Sequence, residues 1–312
     1  MEFEVISSFS ENIEREGYVP FLFNREEYYA VIPQCRRVSC FLKNKASDNV
    51  VAEIHFILEG AEAVSLARAS YGSFQFSEQL SDEWLAWFII QTEHYLSSLG
   101  TDRLSIRTYP VIYAPECAVR QYRLLTNHGY QLAYTDSNFH LDLSEEFHAG
   151  LKESARSRLR SLRNKAILSE PWAQPSLEEV YQLLKISRRE RGYPLTMSRE
   201  DFMKMFEQLP AVYRVFRTVA GDRMVAVAVT VHINQDVLYN FYVGELPEYR
   251  KYSPVAGLIE AMVAYGRTNG YQLLDLGIAT DKGILNEGLA RFKANMGGKY
   301  SEKYMFSKKL AT

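Results

Sequence analysis

The chain has 312 residues, 47% apolar and 24% charged, with a formal net charge of -2 at pH 7. That is the balance of a globular protein with room for two domains or one large one, and it excludes a chain that coats nucleic acid by bulk charge, though not a local basic groove. Cys35, Cys40 and Cys117 have no metal-ligand spacing, the Met1-Glu-Phe-Glu-Val5 start has no signal-peptide pattern, and no apolar run reaches the ~18 residues of a membrane helix. A reduced, cytoplasmic protein without a metal or a membrane span is expected.

Met1 to Val5 suits an edge strand, and a polar helix is expected near residues 8–16. Val19 to Phe23 and Tyr28 to Ile32 suit short extended pieces. Val38 to Leu42 and Val50 to Leu58 form a strand pair across the polar turn 43–49, and Ala61 to Ala67 pairs next. Ala69 to Phe74 is a Gly/Ser loop in which Tyr71 and Phe74 either line a pocket or form a surface turn. Ser81-Asp-Glu opens a helix whose apolar face is Trp84, Leu85, Phe88, Ile89 and Leu96. Strand 104–108, helix 118–127 and strand 130–143 follow.

The second half opens with six basic side chains between Lys152 and Lys165 against one acid, Glu153. Lys152, Arg156, Arg160 and Arg163 share one face of the predicted helix, and Leu151, Ala155, Leu159 and Leu162 another. Such a face either grips a phosphate backbone or is simply solvated. Pro171 and Pro175 end this helix, and further helices are expected at 176–191 and 198–209. A three-stranded meander occupies 212–219, 224–233 and 237–243.

The most informative stretch is Val237 to Gly298. An apolar strand, 237–243, runs into the loop Gly244 to Tyr252, and Ser253-Pro254 opens a helix to about Thr268. A strand, a loop and a helix N-terminus together offer unpaired N–H groups to an anion, with Arg250, Lys251 and Ser253 at its rim. Asp275 lies inside the apolar strand Leu273-Leu-Asp-Leu276. A desolvated carboxylate there suits a general base; otherwise it faces solvent or caps a neighbour. Tyr242 either relays a proton or packs. The order of elements repeats: a Ser-started helix ending in Gly, a strand, a second helix ending in Gly, a strand. Two copies of one α/β unit are therefore expected, at residues 1–145 and 146–312.

This order resembles the GNAT acyltransferase fold, and two fused copies resemble the FemABX-like aminoacyltransferases, which build the peptide bridges of bacterial cell walls. The basic helix 156–165 is similar to that family's Arg-rich segment, and Tyr249 to Glu260 to its second-domain helix entry. Gly288-Leu-Ala-Arg-Phe-Lys-Ala-Asn-Met-Gly-Gly298 is similar to its Gly-Leu…Phe-Lys…Phe-Gly-Gly motif, with Met296 in place of Phe. The resemblance implies an α/β fold of two tandem GNAT-like domains, each a mixed sheet flanked by helices. It implies acyl or aminoacyl transfer to an amine, with no tightly bound cofactor and with acyl-CoA or aminoacyl-tRNA as co-substrate. Lys293 then steadies the developing negative charge, unless it is a solvated helix lysine, and Phe292, Arg250, Lys251, Ser253, Arg156, Arg160 and Arg163 serve the donor. Tyr71 and Phe74 serve the acceptor, an amine-bearing molecule such as a cell-wall precursor.

One departure bears on the donor. The CoA-binding Gln/Arg-x-x-Gly-x-Gly/Ala loop aligns with Arg250-Lys-Tyr-Ser-Pro-Val255, which lacks both glycines, and Pro254 removes an N–H. That favours aminoacyl-tRNA over acyl-CoA. The alternative is a non-catalytic double-GNAT protein that binds a nucleotide, a glycan precursor or a protein.

Overall fold

The computed structural model describes residues 3–6, 14–31, 35–65, 69–192 and 195–310. It divides into two compact units: Met1–Ser137 with Lys282–Ile284 and Ser301–Thr312, and Asn138–Asp281 with Leu285–Tyr300.

In chain order the first unit has β1 (Phe3–Ile6), α1 (Glu26–Val31), β2 (Arg37–Asn44), β3 (Val50–Glu59), β4 (Glu62–Val64) and β5 (Gln75–Phe76). Then come α2 (Asp82–Ser98), β6 (Arg103–Arg107), α3 (Pro115–Asn127) and the start of β7 (Gln131–Asp142). Tyr28 belongs to the helix α1, not to an extended piece, and the polar helix expected near residues 8–16 falls mostly outside the described residues. β1, β2, β3 and β4 pair antiparallel in turn, β5 pairs with β3, and β4 pairs parallel with β6. A parallel pair needs a crossover, and α2 supplies it. Ser81 accepts the Trp84 N–H and starts α2; Leu85, Phe88, Ile89 and Leu96 bury its inner face against Cys40, Ile54, Leu104 and Phe306.

The second unit continues β7 from Asn138, then α4 (Phe147–Gly150), α5 (Glu153–Asn164), β8 (Ile167–Pro171), α6 (Leu177–Glu190) and α7 (Arg199–Gln208). The meander β9 (Tyr213–Ala220), β10 (Arg223–His232) and β11 (Val237–Glu245) leads to α8 (Pro254–Thr268), β12 (Leu273–Ile278) and the short β13 (Thr280–Asp281) and β14 (Ile284–Leu285). α9 (Glu287–Asn295) and β15 (Lys299–Lys309) finish the chain. The sheet order in this unit is β7-β12-β11-β10-β9-β8, antiparallel except for the β11–β12 pair, which α8 bridges. Among the described residues each unit thus has a parallel strand pair spanned by a helix, which is the repeat the sequence implied. Each is also completed from the other half of the sequence: β7 pairs with β12 from Asn138 onward, and β15 pairs with β6 beyond Ser301.

α8 holds the second unit together. Leu258, Ile259, Met262 and Val263 are buried on one stripe against Phe216, Ala226, Ala228, Leu238 and Leu274. At about 1.5–3 kcal/mol for each large apolar side chain withdrawn from water, this stripe anchors the helix. β8 is a strand where the sequence reading had only a broken helix. After α5, Ala166 turns at φ +51 and Ile167–Pro171 pairs with Ala220–Phe216 as an edge, a position proline tolerates.

Candidate active site

β11 and β12 run parallel only where Val237, Leu238 and Tyr239 face Leu273, Leu274 and Asp275; both strands then continue without pairing to each other. The parting is built into both. In β11 a bulge at Phe241 makes Tyr242 oppose Val229 while Asn240 opposes Thr230. In β12 the register against β7 slips between Asp275 and Gly277, and Gly277 takes φ +78, a conformation glycine adopts without strain. Beyond Tyr239 and Asp275 the two strands part.

Lys293 reaches this opening from α9. Asn286 caps the helix by accepting the Leu289 N–H, and Met296, fully buried, replaces the family's Phe in the core. A Cβ on Gly298 would lie 2.7 Å from the Lys293 carbonyl oxygen, so only glycine lets the chain close against that turn. Lys293 is 7% exposed, which rules out the solvated helix lysine. Its Nζ donates to the Gly277 carbonyl at 2.8 Å and the Ile278 carbonyl at 2.7 Å. Burial pulls its pKa down to about 7, against the opposing pull of the Asp275 charge. An ammonium has three N–H groups, so one is left for a substrate.

Asp275 is 1% exposed and so does not face solvent. Its Oδ1 accepts from Asn138 Nδ2 at 2.8 Å and from the Gly277 N–H at 2.7 Å, so it caps backbone. Tyr242 is buried, its hydroxyl 3.2 Å from Thr196 Oγ1 and its ring beneath the Arg188 guanidinium. Burial pushes its phenol pKa up. Lining the Gly277 turn along with Lys293 is Tyr239, which the sequence reading passed over. A Cβ placed on Gly277 would lie 3.9 Å from both Lys293 Nζ and Tyr239 Oη, and 3.5 Å from Cε2 of the Tyr239 ring.

The expected anion rim is differently arranged. Ser253 has φ +58 and makes no side-chain cap, so the N-cap inferred from Ser-Pro is corrected; its carbonyl takes the Ala256 N–H at 2.9 Å. Thr218 Oγ1 donates to the Pro254 carbonyl, and Ser169 and Leu162 press on Gly257, so side chains pack the first turn of α8. Arg250 Nε lies 3.4 Å from the buried Glu245, and Lys251 and Lys165 both sit on the Tyr252 ring. On α5, Arg156 donates to the His148 and Ala149 carbonyls, Arg160 pairs with Glu153 and Arg163 with Glu260. The partners of these arginines lie on α4, α5 and α8. Phe292 is half-buried against the core. In the first unit Tyr71 and Phe74 are buried, the Tyr71 ring among Phe23, Tyr109 and Tyr113 and Phe74 against Phe88. That replaces the surface turn with core.

A strand pair that parts beside a crossover helix is the arrangement expected of a GNAT acyltransferase domain. Residues 151–294 match the family described as Acetyltransferase (GNAT) domain, so this segment is a GNAT domain. The fold of most of the chain is that of tandem GNAT structures. It is similar to FemX (14% identity, TM-score 0.67, 93% of this chain and 91% of that one). It is similar also to a tandem GNAT protein from the clavulanic acid biosynthesis pathway (11%, 0.60, 100% and 99%) and to L-PGS from Bacillus licheniformis (14%, 0.58, 97% and 95%). No curated protein sequence matches the chain. Among the described residues no helix is long and apolar enough to cross a membrane.

Proposed function

We propose that the protein is an N-acyl or aminoacyl transferase that forms an amide on an amine acceptor, with the Lys293 ammonium stabilising the oxyanion of the tetrahedral intermediate. The observation that carries this reading is the buried Lys293 Nζ, fixed by two carbonyls at the opening between β11 and β12 and holding one N–H in reserve. A preset donor in a site poor in water is worth most where charge develops, and removing such a donor costs about 100- to 1,000-fold in rate. Phe292, next to Lys293 in the chain, packs against the core with part of its ring exposed. The favoured donor is aminoacyl-tRNA. Pro254 has no N–H and the run Arg250 to Val255 has no glycine, so fewer bare amides remain than a pyrophosphate-wrapping loop needs, which disfavours acyl-CoA. In this reading the C-terminal half takes the donor and the N-terminal half helps hold the acceptor, an amine-bearing molecule of the cell-wall precursor kind.

The test is transfer of a labelled amino acid from charged tRNA, or of acetyl from CoA, to amine acceptors including a cell-wall precursor peptide. Transfer by the wild type and its loss in Lys293→Ala support the proposal. A wild type inactive with every donor and acceptor, together with unchanged cells carrying Lys293→Ala, leaves a non-catalytic binding protein as the better reading. The ion-paired arginines of α5 favour that alternative.

A further inference from the structure

Lys293 is held by carbonyls, and the direction of those carbonyls is set elsewhere. Gly277 and Ile278 follow the register slip in β12, and the slip is closed by one side chain. Asp275 Oδ1 takes the N–H of Gly277, two residues on, at 2.7 Å, which folds the backbone over Leu276. The same oxygen takes Asn138 Nδ2 at 2.8 Å from the neighbouring strand β7, which fixes the carboxylate in place. With φ +78 at Gly277, the two successive carbonyls then both reach Nζ, at 2.8 and 2.7 Å. Successive carbonyls of a regular strand point to opposite sides, so this convergence requires the turn.

We propose that Asp275 is the positioning residue of this site: by closing the turn at Leu276–Gly277 it aims the two carbonyls that hold Lys293. In this role its Oδ1 serves as the fixed acceptor of two N–H donors, in place of the general-base role that its position in the strand suggested. This rests on the reading of Lys293 as the group that meets developing charge.

A positioning carboxylate in a buried site also sets the charge of what it positions. Asp275 is the charged group that acts on Lys293, and its negative charge favours the ammonium against burial. The ionisable residues directly opposite Asp275 on its two neighbouring strands are Tyr239 on β11 and His140 on β7. Burial holds that imidazole below its usual pKa, so it is neutral near pH 7 and does not replace the carboxylate. Asp142 and Lys299 act on His140 with opposite signs, and on α9 itself Glu287 and Arg291 are exposed.

The experiment follows Lys293 directly, in whole protein carrying lysine labelled with ¹³C at Cε, with its resonance assigned by its loss in Lys293→Met. Asp275→Asn keeps an oxygen for the Gly277 N–H but removes the charge, and the Lys293 midpoint is expected to fall by about one pH unit. Asn138→Ala loosens the carboxylate without removing it, and keeps the inference testable if Asp275→Asn does not fold. Its Lys293 midpoint is expected to move as well, alongside a lowered melting temperature, because buried Asn138 no longer donates to the buried carboxylate. Where transfer is measurable, the high-pH limb of its rate moves with the midpoint. A Lys293 midpoint unmoved in the variants that fold overturns the inference, because a merely structural Asp275 changes melting and nothing else. A wild type without transfer sinks the transferase reading instead, and leaves the resonance to decide on Asp275.

Discussion

Replacing Lys293 with methionine separates the cost of burying a charge from the rest of the fold. The wild-type ammonium is 7% exposed and its pKa falls from the usual 10.5 to about 7, with burial the largest cause. Between those two values the unfolded chain binds a proton that the folded chain has released, so stability rises with pH across that window. The cost is fully present below about pH 7 and gone above about 10.5. At ~1.4 kcal/mol per pH unit it amounts to at most about 5 kcal/mol. Methionine removes this cost but leaves the Gly277 and Ile278 carbonyls without their donor, at about 1–3 kcal/mol each. The two effects nearly cancel at neutral pH, so a single measurement there is uninformative and the slope carries the result. Urea unfolding of both proteins, followed by circular dichroism from about pH 6 to about pH 10, should show the wild type gaining on the variant by several kcal/mol as pH rises. A difference that stays flat across that range refutes the buried-charge account of Lys293.

Gly277→Ala puts a side chain at φ +78 and within 3.5 Å of the Tyr239 ring; it should cost about 1–3 kcal/mol in unfolding and slow transfer at least as much as it destabilises, read by melting and by rate. Tyr242→Phe removes only the contact with Thr196; transfer should stay within about threefold of wild type and stability within about 1 kcal/mol. Glu53 is fully buried: burial alone would raise its pKa, but the hydrogen bond and charge of His55, and then those of Arg15, hold it below the usual value. Its stabilisation is therefore present above the unfolded pKa and lost as pH falls through the folded one. Glu53→Gln should cost about 3–5 kcal/mol at neutral pH and flatten the acid limb of a stability–pH profile, because Arg15 then loses its partner.

Features set by local chemistry were legible before any coordinates. Ser81, Ser176 and Ser198 each accept an N–H of the helix they precede, as short polar side chains before amphipathic runs should. The meander lies close to where its turns at Gly221-Asp222 and Asn234 to Asp236 put it. What failed was set by tertiary contacts. Pro171 reads as a breaker, yet it ends an edge strand whose partner β9 lies some fifty residues on. Tyr71 and Phe74 sit in a Gly/Ser loop, and only the rings of Phe23, Tyr109 and Phe88, far away in sequence, show that the loop is core.

The candidate site shows the same division more sharply. Lys293 was found by motif, but its burial has no local signature, because the carbonyls that hold it lie fifteen and sixteen residues upstream in another element. Tyr239 was missed because strict alternation says nothing about how far along a strand its neighbour stays paired. The bulge at Phe241 puts Tyr239, Tyr242 and Gly244 on one face, opposite Val231, Val229 and Val227. Of these, Gly244 lies under Ser187 and Leu183 of α6 and Tyr242 meets Thr196, so helix and loop cover that end of the strand, while Tyr239 sits at the last paired position, next to Gly277. A bulge is specified by the whole sheet that surrounds it, not by the residues it displaces. Chemistry placed at a parting of strands is therefore the part of such a fold that one sequence conceals most completely.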